Sequence, residues 1–201
     1  MSKVHNETMF WENEPVATMT EVKKEFIFSN DSLAMYPLLN EIISFLKTHL
    51  PSEQYSFKIS NCKQILIELL TNAVKHSETD NTVISVCING MNIEITKSDK
   101  GRKFYLNNQT RWSPVSRSLE KMYIGEKIKI YEDDLANLYA VIKNENHIVF
   151  EIEDCSISKI SRNSNLLEHY GLLIMAKFSN EFFYRYYPET KLNEFTAIIN
   201  V

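Results

Sequence analysis

The side chains best suited to chemistry in this chain lie in Glu68-Leu-Leu-Thr-Asn72-Ala-Val-Lys75-His76-Ser77. Glu68 and Asn72 are four residues apart and Lys75 is seven from Glu68, so on a helix all three project from one stripe, with His76 at its border. Apolar residues occupy the remaining faces, and a carboxylate and a carboxamide on a mostly buried helix are costly unless something satisfies them. A hydrated magnesium ion carrying nucleotide phosphates would do so. Asn72 would be the metal ligand through its amide oxygen, and Glu68 would orient or deprotonate a water or an acceptor hydroxyl. Lys75 and His76 would offset phosphate charge. On spacing alone the same residues also read as a solvated helix face, with His76 a simple C-terminal cap.

The elements that must hold these residues are legible from periodicity. Glu25 to Phe28 predicts a strand, and Ser29-Asn30-Asp31-Ser32 predicts a helix N-cap ahead of an amphipathic helix over roughly residues 33–49, stopped by Pro51. The chemistry-bearing helix is expected over Asn61 to Ser77, with Asn61 and Gln64 as a capping box at its start. Thr82–Ile88 and Met91–Lys97 alternate as strands and meet at Asn89-Gly90, a hairpin signal, with Asp99 just beyond the second strand. Residues 102–127 read as a long polar loop with room for one helix. A second hairpin is expected over Tyr139–Lys143 and Ile148–Ile152, then a helix over Asn165–Ser179 and closing strands over Phe182–Tyr187 and Phe195–Val201. Residues 1–20 show neither period and are expected to be an N-terminal arm, leaving 21–201 as one domain. Strands paired through short turns, with helices arriving in blocks, predict an α+β two-layer sandwich whose mixed, mainly antiparallel sheet carries helices on one face.

Composition narrows the function classes. A net charge of −4 and only a loose grouping of Lys121, Lys127 and Lys129 supply no footprint for a phosphate backbone, so direct nucleic-acid binding is not expected. No apolar run is long enough to cross a bilayer and no signal-peptide pattern follows Met1, which predicts a cytoplasmic protein with no membrane partner. Cys62, Cys87 and Cys155 are widely spaced and odd in number, so buried thiols are expected rather than disulfides or a zinc site. The only glycines are Gly90, Gly101, Gly125 and Gly171, which excludes a P-loop and a GxGxxG turn.

The Glu68-to-Ser77 segment resembles the N-box of the GHKL (Bergerat-fold) ATPase superfamily, in which a Glu is followed four residues later by Asn, then Ala and commonly Lys-His. The likeness is to anti-sigma-factor serine kinases and the ATP-binding domains of histidine kinases, whose order of elements the chain follows from about residue 22. Ile93-Glu-Ile-Thr-Lys-Ser-Asp99-Lys-Gly101 stands where those families carry an Asp-x-Gly motif. By that resemblance Asp99 would accept a hydrogen bond from the adenine amino group and Gly101 would let the backbone lie near the base. His169-Tyr-Gly171-Leu-Leu-Ile-Met-Ala-Lys177 resembles the segment after the lid, and Gly171 near a helix start would present backbone N–H groups to a phosphate.

The resemblance implies a histidine kinase-like ATPase fold that binds ATP and Mg2+. It further implies homodimerisation and a regulatory protein partner, an anti-sigma antagonist or a sigma-like factor, acted on by phosphoryl transfer as a serine/threonine kinase, or sequestered in a nucleotide-dependent way. The chain departs from the pattern at Lys103, where a second glycine is usual, and at His169-Tyr170, where a glycine pair is usual. The stretch from 102 to about 164 is longer than the family's lid, and Asp154 at its hairpin's end rivals Asp99 for the adenine position. Two alternatives follow: a non-catalytic interaction module on the same scaffold, or a sensor of another small ligand between sheet and helices.

Overall fold

The computed structural model describes residues 21–104, 124–132, 136–154 and 170–201. The N-terminal arm, Trp112, Lys121, Cys155, residues 165–169 and most of the expected 102–127 loop lie outside them. Strand β1 (Val22–Phe28) leads into helix α1 (Ser32–His49), where the Asp31 side chain accepts the Leu33 N–H at 2.9 Å and so satisfies one of the donors a helix start leaves free. At its other end the Leu50 N–H closes on the Leu46 carbonyl and Pro51 follows, which prevents continuation. Leu39, Ile42 and Leu46 form its buried stripe.

Helix α2 (Ser56–His76) begins five residues before the expected Asn61, so the Asn61–Gln64 capping box does not start it. A single 3-10 turn at Glu53–Tyr55 runs directly into α2, and the backbone reaches helical geometry without a side-chain cap. Ile65, Leu66, Leu69, Leu70 and Ala73 are buried along α2. Burying a side chain of Leu or Ile size is worth about 1.5–3 kcal/mol each, so this face fixes the helix more firmly than any cap.

The remaining strands are β2 (Thr82–Ile88), β3 (Asn92–Lys100), β4 (Lys127–Glu132), β5 (Ala136–Asn144), β6 (His147–Asp154), β7 (Glu181–Tyr187) and β8 (Leu192–Asn200), with α3 (Tyr170–Phe178) between β6 and β7. They form one eight-stranded sheet in the order β1-β2-β3-β8-β7-β6-β5-β4. Every pairing among the described strands is antiparallel, so the expected mixed character is not seen among them. At the β2–β3 turn Gly90 takes φ 79° and the Asn89 N–H bonds the Asn92 carbonyl, making Gly90-Met91 the two-residue loop with Asn89 flanking it. β4 falls at the edge of the expected polar loop, and Asp99 lies inside β3, opposite Asn193, rather than beyond it.

Register sets the layers. Phe26, Ile84, Lys97, Phe195, Tyr184, Ile148 and Ile142 form one row across seven strands, all on one side of the pleat. That side faces the helices: α1 packs on β1 and α2, α2 on β3, β8 and α3, and α3 on β6 and β7. The fold is therefore α+β with a sheet and a helical layer, and none of the described helices is long and apolar enough to cross a membrane. On the opposite face Thr96 and Thr196 share a hydroxyl hydrogen bond of 3.0 Å. Cys87 points to that face and is only half-buried, unlike Cys62, so the expectation of buried thiols holds for Cys62 and not for Cys87.

Candidate functional site

Glu68 and Asn72 share a stripe of α2 and are both half-buried, against the N-terminal turn of α3. A Cβ placed on Gly171 would stand 2.7 Å from Glu68 Oε2 and 3.8 Å from Asn72 Nδ2, so glycine is what allows the start of α3 to approach the pair this closely. Among the described residues neither side chain makes a hydrogen bond or an ion pair. Burial pushes the Glu68 carboxyl above its ordinary range, and the nearby Lys75 charge only partly opposes that shift. Lys75 and His76 are exposed at the end of α2. Glu68, Asn72 and Gly171 are thus brought together, with Lys75 close enough to act electrostatically on Glu68.

Asp99 and Gly101 form a second group just past the C-terminal end of α2, the end that carries Lys75 and His76. A Cβ on Gly101 would lie 3.9 Å from Asp99 Oδ1, from Asn193 Nδ2 and from Glu78 Cβ, and Glu78 pairs with Arg102 at 3.2 Å. From Glu68 to His76 a helix rises roughly 12 Å, so the stretch of α2 that lies between the two groups, the α2 ledge, is about that long. The partners of Asp99 were not foreseen from sequence. Lys97, two residues earlier on the same face, donates from Nζ to Asp99 Oδ2, and Asn193 Nδ2 donates to Asp99 Oδ1 at 3.3 Å. Tyr184 donates its hydroxyl proton to Asn193 Oδ1 at 2.7 Å and accepts the Phe104 N–H at 2.9 Å. The Lys97 and Asp99 side chains are 6% and 10% exposed. A usable signal was present: in the alternation of β3, Lys97 and Asp99 share parity with Ile93 and Ile95, which places two opposite charges on the apolar face.

Other expected residues fall elsewhere. Asp154 is exposed at the end of β6, separated from β3 by β8 and β7. Lys127 pairs with Glu151 and Glu153, and Lys129 with Glu132, so neither is a free basic surface. The Cys62 thiol is pushed up to about 12 by burial, which removes it as a nucleophile. A cleft of roughly 560 Å3 lies beside the paired strands β6 and β7 near the end of α3, lined among others by His147, Phe150, Ala176 and Arg185, and none of the expected site residues contributes to it. Among the described residues no cluster of three His, Cys, Asp or Glu could hold a metal ion alone. A magnesium ion that keeps waters and phosphate oxygens in its shell needs only one or two protein ligands, and Asn72 beside a helix N-terminus fits that demand. No protein-family model matches the chain, and no curated protein matches it.

Proposed function

We propose that this chain binds a magnesium nucleoside triphosphate along the α2 ledge, in the manner of the GHKL ATPases that its Glu68-to-Ser77 segment resembles, and uses it to act on a regulatory protein partner. One observation carries the reading: a carboxylate and a carboxamide sit half-buried, with no partner among the described residues, against the first described turn of α3. A metal ion with its phosphates would supply such half-buried groups with partners other than water. Asn72 would hold the ion through its amide oxygen. By the resemblance, backbone N–H groups about Gly171, in the first described turn of α3, would face a phosphate. Lys75 adds positive charge at the rim with His76 beside it, and Asp99 and Gly101 would take the base end.

When bound, the magnesium nucleotide supplies a transferable phosphoryl group. Glu68 is suited to receive the proton of an attacking water or hydroxyl, because burial raises its proton affinity. The acceptor would come from the partner, a sigma-like factor or an anti-sigma antagonist if the resemblance extends that far, with the chain itself homodimeric and cytoplasmic. Calorimetric titration with the magnesium complexes of ATP and GTP is the direct test. Heat that is lost in Asn72→Ala supports the reading, whereas no heat with either nucleotide ends it.

The engagement of Asp99 by Lys97 and Asn193 favours a second version, in which nucleotide is held without turnover and the chain is an interaction module. Release of labelled phosphate that disappears in Glu68→Ala would exclude that version.

A further inference from the structure

We propose that the cleft beside β6 and β7 binds a short peptide with free ends, its amino end at Glu151 and Glu181 and its carboxylate at His147 and Arg185. This site is separate from the α2 ledge and does not depend on nucleotide. Register sets its layout. On the sheet face away from the helices β6 carries His147, Val149 and Glu151, β7 carries Arg185, Phe183 and Glu181, and all of them line the cleft. His147 stands opposite Arg185 and Val149 opposite Phe183. Glu151 and Glu181 follow one step past Phe150 and Phe182, the last pair of the two strands. The cleft is therefore basic at one end, apolar in the middle and acidic at the other.

The fold leaves charge uncommitted at both ends. Among the described residues Glu181 makes no ion pair, while Glu151 shares Lys127 with Glu153. Arg185 makes no ion pair among them either, and its guanidinium lies 4.7 Å from the centre of the Phe183 ring. Beside it, His147 Nε2 is buried without a hydrogen-bond partner. Glu181 and Arg185 are four residues apart on one strand, roughly 13 Å between Cα atoms, so they cannot neutralise each other. A ligand of one charge sign and of that length would set like charges together at one end. The occupant that meets both ends carries a cation and an anion with apolar matter between them. An extended tripeptide spans about 10 Å, and its ammonium and carboxylate make charge-assisted hydrogen bonds to the carboxylates and to the guanidinium fork. Its middle side chain covers Val149 and Phe183, and a cleft of roughly 560 Å3 is of the size that small ligands occupy.

Calorimetry of the full chain with alanyl-leucyl-alanine, its N-acetyl form and its C-terminal amide is the test. The free-ended peptide should bind with a Kd of about 1 mM or tighter, and blocking either end should weaken it on the order of tenfold. Glu181→Gln should remove the penalty for acetylation and keep the one for amidation, whereas Arg185→Gln should do the reverse. Both side chains are exposed, so the variants should melt as the wild type does. No heat from the free-ended peptide at about 10 mM, equal binding of all three peptides, or variants that keep both penalties overturns the assignment. None of these outcomes bears on the nucleotide reading, which magnesium nucleotide alone tests.

Discussion

The two ends of the α2 ledge solve the problem of a buried polar group in opposite ways. At Glu68 and Asn72 the groups are half-buried and have no partner among the described residues. At Lys97, Asp99, Asn193 and Tyr184 the groups are deeper and bonded to one another in a chain. A closed network stabilises the fold without help from outside, whereas unpartnered groups at half-burial cost stability unless something else meets them. The difference separates a corner that folding requires from one that folding merely tolerates.

The largest effect should come from breaking the closed end. Lys97→Met leaves the Asp99 carboxylate buried without its ammonium, and urea denaturation should record a loss of about 3–5 kcal/mol, most of it recovered when Asp99→Asn is added. A loss below about 1 kcal/mol in the single variant would mean that the pair is solvated and the contrast is false. Tyr184→Phe removes the hydroxyl that joins Phe104 to Asn193, and should cost about 1–3 kcal/mol in the same measurement.

Gly171→Ala addresses the open end. The added methyl meets Glu68 Oε2, the tip of a flexible side chain, so the carboxylate swings away while stability stays within about 1 kcal/mol of wild type. Nucleotide affinity should fall nonetheless, and unaltered titration curves would detach Gly171 from the site.

The smallest effect is expected at Glu68→Gln. Burial raises the Glu68 carboxyl in the folded state, so between its ordinary value and its raised value the folded chain binds more protons than the unfolded one. Stability is therefore lost as pH rises through that window, and at neutral pH the glutamine variant should melt at or slightly above wild type. The gap should close as the pH is lowered into the ordinary carboxylate range. A variant that melts well below wild type at neutral pH would show that Glu68 has a stabilising partner.

Local signals carried most of the element reading. The Asn89-Gly90 hairpin, the Asp31 cap and the alternation of Thr82–Ile88 were legible because each depends on residues adjacent in sequence. The start of α2 was misplaced because a 3-10 turn feeds it, and the buried face rather than a cap fixes the helix. β4 was missed because Lys127 and Lys129 alternate with Ile128 and Ile130 on a sheet edge, where charge is the usual protection against stray pairing. Within the candidate site, Glu68 and Asn72 could be paired by helical spacing alone, and Gly171 was expected beside a phosphate only through the family resemblance. Lys97 could be read beside Asp99 from their shared parity in β3, whereas Asn193, and Tyr184 behind it, could not, because Asn193 stands 94 residues downstream.

That distance also bears on how the chain folds. The hydroxyls of Thr96 and Thr196 meet across 100 residues of sequence, while β5 and β6 are joined by a tight turn. Loop closure of that length is slow compared with hairpin formation, so the β5–β6 ribbon should form early and the centre of the sheet late. During synthesis β3 must wait with one edge bare until β8 has been made, which exposes a strand template to neighbouring chains. Pulse-labelling hydrogen exchange should accordingly find β5 and β6 amides protected before those that join β3 to β8, and the reverse order would refute this sequence of events.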